Sequence, residues 1–202
     1  MVEDDAPVVT PAAIAGRALV WLVLAWLFLG FARHGVASNY AGQSFLHLPS
    51  LVFHEAGHVL FGLFPRFLMV LGGSVLQLIV PAVCAVAFWR RGDRFATAVG
   101  LWWLGQNFVD LAPYIDDARS LRLVLLGGRT GAEVEGHDWE YLLGAVGLLA
   151  WDHVLARLAH LTGLLLMLGA LAWAALALYR QYGEQRSGGS GTMGPREPWS
   201  SA

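Results

Sequence analysis

The sequence predicts an all-α protein: a polytopic integral membrane helix bundle with about five or six transmembrane or re-entrant helices. Composition is the first reason. The chain is 56% hydrophobic and 14% charged, with a mean hydropathy of +0.54, outside the balance of soluble domains. The second is a series of apolar runs close to the length a helix needs to cross a bilayer. The third is that Gly, Arg and acidic residues punctuate these runs and define the loops. The 202 residues suffice for one bundle. They divide into a polar segment 1–16, a membrane-embedded domain 17–180 and a Gly/Ser/Pro-rich tail 181–202, expected to be disordered. A net charge of −2 gives no nucleic-acid footprint. The single cysteine, Cys84, excludes an internal disulfide and a cysteine-rich metal site.

The first run, 18–32, lies between Arg17 and Arg33. Glu3, Asp4 and Asp5 precede it in place of a basic region, so it reads as a retained span and not a secretory signal. The second run, 45–64, carries Pro49 early, where a first helical turn tolerates it. The third, 67–89, contains Gly72-Gly73-Ser74, and the fourth covers 95–113. Residues 121–126 are too short to cross, and Gly127-Gly128-Arg129-Thr130-Gly131 has loop composition. Residues 141–151 suit a re-entrant or interfacial helix, and 154–179 form the last span. Arg90, Arg91 and Arg94 place the loop after the third run in the cytoplasm, and Arg180 and Arg186 favour the same side. Trp21, Trp26, Trp102, Trp103 and Trp151 are expected to face lipid or the interfacial belt.

His54-Glu55-Ala56-Gly57-His58 sits inside the second run, with no other charge between Tyr40 and Arg66. Histidines four apart lie on one helix face, so both rings can reach one metal ion. The glutamate between them has the position of a zinc hydrolase's general base. An ionisable residue within an apolar segment is costly and marks function. The ligand set suits Zn2+. A catalytic zinc needs a third protein ligand and an open position.

The fourth run offers carboxylates. Gln106, Asn107, Asp110, Pro113, Asp116 and Asp117 fall in order along it. The motif helix, the glycine-led segment and the later Asn, Pro and Asp residues resemble the site-2 protease family of intramembrane zinc metalloproteases. The resemblance covers about residues 45–117. It implies that His54 and His58 bind zinc, that Glu55 is the base and that a later aspartate completes the site. The Asp-Gly pair of that family is absent here, since Asp116-Asp117 precede Ala118, and Asn107 is followed by Phe108.

Asp116 or Asp117 matches the motif order; Asp110 matches by depth. At 1.5 Å per residue, the histidine pair lies about 14–20 Å along its run, Asp110 about 22 Å and Asp117 about 33 Å. Asp110 is therefore the preferred third ligand, with Asp117 and then Asp116 as alternates. Gln77, Gln106 and Asn107 are candidates to orient ligands or contact substrate. For His137-Asp138-Trp139-Glu140, an Asp138 cap on the following helix is preferred to a role as extra ligand or gate. The expected activity is hydrolysis of peptide bonds in transmembrane or membrane-associated proteins within a bacterial inner membrane. The alternatives are a membrane protein that binds zinc without proteolysis and a zinc hydrolase of non-peptide substrates.

Overall fold

A computed structural model describes residues 10–190. Six α-helices account for most of them: α1 (Pro11–Arg33), α2 (His47–Leu60), α3 (Arg66–Arg90), α4 (Arg94–Asp116), α5 (Asp138–Ala145) and α6 (Asp152–Ser190). The only extended pairing among the described residues is an isolated bridge between Val124 and Thr130.

Helices α1 and α3, and α6 with the turn before it, are long and apolar enough to cross a membrane. Thus three of the expected five or six membrane helices meet that measure. Helix α4 matches them in length at 23 residues, but Gln106, Asn107 and Asp110 lower its apolarity. Helix α2 has 14 residues and rises about 21 Å, short of a hydrocarbon core of about 30 Å. The second run ends early as a helix because the chain turns at 61–64 and Pro65 opens α3. Residues 141–151 form only the short helix α5 and a 3-10 turn, as their length suggested. Helix α6 continues through Ser190, so the tail expected to be disordered from 181 begins as helix. The rest of that tail and the segment 1–9 lie outside the described residues.

Helix α4 is the central element. It packs against α6 on one side and α3 on the other; α2 lies against α3, and α1 against α6. The α4–α6 seam has a sequence cause. Ala98, Trp102, Gly105, Val109 and Ala112 on α4 repeat at spacings of four and three and are all buried. Gly163, Met167, Ala170, Ala174 and Ala177 on α6 do the same. A four–three stripe keeps facing one partner, and small residues let the backbones approach where lipid removes the hydrophobic drive. A Cβ on Gly105 would stand 2.7 Å from the Gly163 carbonyl oxygen. This stripe corrects the expectation for Trp102. It is 3% exposed, packed edge-on against Phe31, while Trp26 and Trp151 are exposed as expected.

The α2–α3 hairpin is equally tight. A Cβ on Gly57 would come within 2.8 Å of Gly73 Cα. That contact sets the motif face of α2 directly on the Gly72-Gly73-Ser74 turn of α3.

Candidate metal centre

Helix α2 places His54 and His58 one turn apart, with ring centroids separated by 4.9 Å. The third group in reach is Asp138. Its Oδ2 lies 2.8 Å from His54 Nε2 and 3.1 Å from His58 Nε2. One donor atom from each of the three residues falls within 4.8 Å of the others, which makes them a group that can hold a metal ion. Tetrahedral zinc with bonds of about 2.1 Å sets its ligand atoms about 3.4 Å apart. The Asp138 oxygen stands within about half an ångström of that spacing from each histidine nitrogen.

Gly73 keeps that position free. A Cβ there would lie 2.6 Å from His58 Nε2 and 2.7 Å from His54 Nε2, among the donor atoms themselves. Any side chain at 73 therefore competes with an ion for the same space.

Both rings have their far nitrogens engaged. His58 Nδ1–H donates to the Met69 carbonyl oxygen at 3.0 Å, and His54 Nδ1–H donates to Gln77 Oε1 at 3.0 Å. This turns both Nε2 atoms toward Asp138, the arrangement of histidine ligands whose rings are oriented from behind. Gln77, a candidate to orient a ligand, is the hydrogen-bond partner of His54.

Asp138 arrives on a loop. Residues 117–137 fold back over the end of α4, and Asp117 organises them. Its carboxylate accepts the backbone N–H groups of Arg122 and Leu123 at 2.9 Å each, together with the Ser120 hydroxyl. The Asp138 N–H then donates to the Tyr114 hydroxyl oxygen at 2.9 Å, which ties the start of α5 to the last turn of α4. His137, and not Asp138, caps α5: its Nδ1 accepts the Glu140 N–H at 3.2 Å. Burial holds the His137 imidazole below its ordinary value, against the pull of Asp117 and Asp138, which fits that acceptor role. The cap position frees the Asp138 side chain to turn inward. Burial pushes the Asp138 carboxyl up, but hydrogen bonds from His54 and His58 outweigh it and hold the group below the ordinary carboxylate range. It is ionised at neutral pH, as a ligand must be.

No protein-family model, curated protein or solved structure matches this chain.

The other candidate residues have separate partners. Asp110 faces His47: its oxygens lie 3.0 and 3.1 Å from His47 Nδ1, and Oδ2 also accepts Gln77 Nε2–H at 3.0 Å. The structure therefore brings Asp138, not Asp110, to the histidine pair. Matching by depth takes α2 and α4 to start at the same level. Instead α2 starts beside Asp110, to which His47 bonds, and Val36 before it packs against the cluster of Leu111, Ile115 and Ala156. Helix α2 then lies across α4, with the Phe53 ring centroid 5.9 Å from that of Trp103 and the His54 ring centroid 6.0 Å from that of Tyr114.

Asp117 holds the loop, and Asp116 accepts a hydrogen bond from His153 Nδ1 at 2.6 Å. Asn107 donates to the Trp103 carbonyl, while Gln106 is fully buried without a hydrogen-bond partner among the described residues. Neither bonds to the triad.

Glu55 is half-buried and lies within electrostatic reach of His58 and Tyr114. Beside the triad is an open cleft of about 500 Å³, lined among others by Arg66, Val70, Asp138, Tyr141 and Leu149. The Arg66 guanidinium stacks 4.5 Å from the Tyr141 ring centroid on its wall. The sequence reading missed His47 altogether. Its signal is the seven-residue spacing to His54, two helical turns on the same face.

Proposed function

We propose that the chain is a membrane-embedded zinc metalloprotease that hydrolyses peptide bonds of transmembrane or membrane-associated proteins. The observation that carries this reading is the convergence of His54, His58 and Asp138 on a space kept open by Gly73, with Glu55 on the same helix between the two histidines. Helices α2 and α4 are then membrane-embedded elements held among the three apolar spans.

Zinc bound there supplies a Lewis acid that acidifies water and polarises a carbonyl. The protein's own contributions follow from its geometry. His54 and His58 turn their Nε2 atoms to the position and would release protons on binding, and Asp138 supplies a negative charge that balances the site. Glu55 takes the proton from the attacking water and returns it to the leaving amine as the C–N bond breaks. The peptide carbon gains the water oxygen, so acid and amine products balance the added water. The cleft beside Asp138 has the room for an unwound stretch of substrate backbone, whose carbonyls a helix would otherwise shield. Its presence favours turnover of a bound substrate over storage of zinc.

The test uses full-length protein in proteoliposomes with a panel of transmembrane peptides. Cleavage that depends on zinc and disappears in Glu55→Gln, while that variant keeps its metal, is the expected result. A Glu55→Gln protein that cleaves at the parental rate contradicts the mechanism. Cleavage of ester or amide lipids in place of peptides assigns the same site to the non-peptide hydrolase reading.

A further inference from the structure

We infer that Gln77 and Asp110 are positioning residues: together with His47 they form a directional hydrogen-bond relay that fixes the His54 ring so that its Nε2 faces the metal position. The inference rests on the metal-binding reading above and names what holds one of its ligands.

The relay crosses three helices. His47 Nδ1 on α2 lies 3.0 and 3.1 Å from the two Asp110 oxygens on α4. Asp110 Oδ2 lies 3.0 Å from Gln77 Nε2 on α3, and Gln77 Oε1 lies 3.0 Å from His54 Nδ1, back on α2. Gln77 is 2% exposed and Asp110 6%, so water does not compete for these partners.

Donor and acceptor chemistry gives the chain its direction. A carboxylate only accepts, so the face of the Gln77 amide turned to Asp110 must be its NH2 group. An amide has one oxygen and one nitrogen, so the face turned to His54 must be Oε1. An oxygen accepts, so His54 Nδ1 must carry the proton. A ring whose Nδ1–H is given to Gln77 has only Nε2 to offer an ion, and Nε2 is the atom 2.8 Å from Asp138 Oδ2. A carboxylate two residues removed from the metal position thus dictates which nitrogen of His54 is available to the metal.

The arrangement also accounts for a buried carboxylate and a buried amide far from any chain terminus. Each costs free energy unless its hydrogen bonds are made, and the relay makes them. His47 is the outer end: its side chain is 33% exposed, so the chain closes at the protein surface.

The test measures Zn2+ and Co2+ affinity of the purified full-length protein by chelator competition. Gln77→Met preserves side-chain size and removes both hydrogen bonds. It should weaken metal binding about 10–100-fold, the usual effect of losing an outer partner of a histidine ligand. The double variant Gln77→Glu with Asp110→Asn reverses the two groups yet keeps the direction. The carboxylate now on α3 accepts from His54 Nδ1–H, and the amide now on α4 donates to that carboxylate. The double variant should restore affinity to within about threefold of the parent. A purely packing role predicts the opposite order, because Gln77→Met changes volume least.

A parent that binds metal with Gln77→Met binding as tightly overturns the relay and leaves the metal site standing. A parent that takes up no metal overturns the metal reading instead. The relay is then decided by 15N spectra of histidine-labelled, metal-free protein. A proton on His54 Nδ1 supports it, and a bare Nδ1 with the proton on Nε2 contradicts it. The same spectra decide the matter should Gln77→Met fail to fold.

Discussion

Two histidine–aspartate clusters share helix α2, their first histidines seven residues apart, and differ in what they leave free. At His47, one ring nitrogen is cradled by both oxygens of Asp110, and the remaining acceptor capacity goes to Gln77. Each group turned inward there has a protein partner, and the cluster is a brace. At His54 and His58, two ring nitrogens share one oxygen of Asp138, and the space between them is held open by a glycine. Their outer nitrogens are tied down and their inner nitrogens converge. Residue types are the same in both clusters. The difference is whether the donor atoms converge on one position with room beside it, which separates a hydrogen-bonded brace from a group that can hold a metal ion.

Substitutions at the two clusters should therefore separate. The largest effect is expected at the ligands: His54→Ala or His58→Ala loses bound metal, whereas His47→Ala keeps one equivalent, as read by elemental analysis of purified protein. Parallel loss in all three would erase the distinction.

Next comes Gly73→Ala. Its methyl group enters the space among the donor atoms, so metal affinity should fall on the order of 100-fold, or about 3 kcal/mol. Ser74→Ala, one residue on, should bind metal as the parent does. Retention of full affinity in Gly73→Ala would mean that the ion sits elsewhere.

A smaller effect is expected from Tyr114→Phe. It removes the acceptor for the Asp138 N–H, a hydrogen bond of about 0.5–1.5 kcal/mol, and should weaken metal binding by up to about tenfold. The smallest belongs to Arg17→Gln at the far end of α1. Its ion pair with Asp93 at 2.8 Å is partly exposed, so stability should drop by about 0–1 kcal/mol with metal affinity unchanged. Thermal unfolding in detergent alongside metal titration checks both.

The motif helix was legible because its information is local: two residues four apart and a glutamate between them define a face whatever surrounds them. Most of the helical segments were legible for the same reason, through apolar length. The α4–α6 stripes were present in the sequence as four–three spacings of small residues, and overlooking them put Trp102 in the lipid. Asp138 was not legible by such rules. It lies 80 residues beyond His58 and reaches the site only because Asp117 folds the intervening loop back over Tyr114. The depth comparison that favoured Asp110 was sound for two helices starting level. It failed because α2 starts beside Asp110 and lies across α4, which turns His54 toward Tyr114 and the start of α5. Periodicity carries no information about how one helix crosses another.

The most direct test compares Asp138→Ala with Asp110→Ala in metal titrations of the purified full-length protein. The account predicts that Asp110→Ala still saturates with one equivalent of zinc at raised concentration, bound more weakly, whereas Asp138→Ala does not retain it. An Asp138→Ala protein that binds zinc like the parent while Asp110→Ala loses it would contradict the account and return the third ligand to α4.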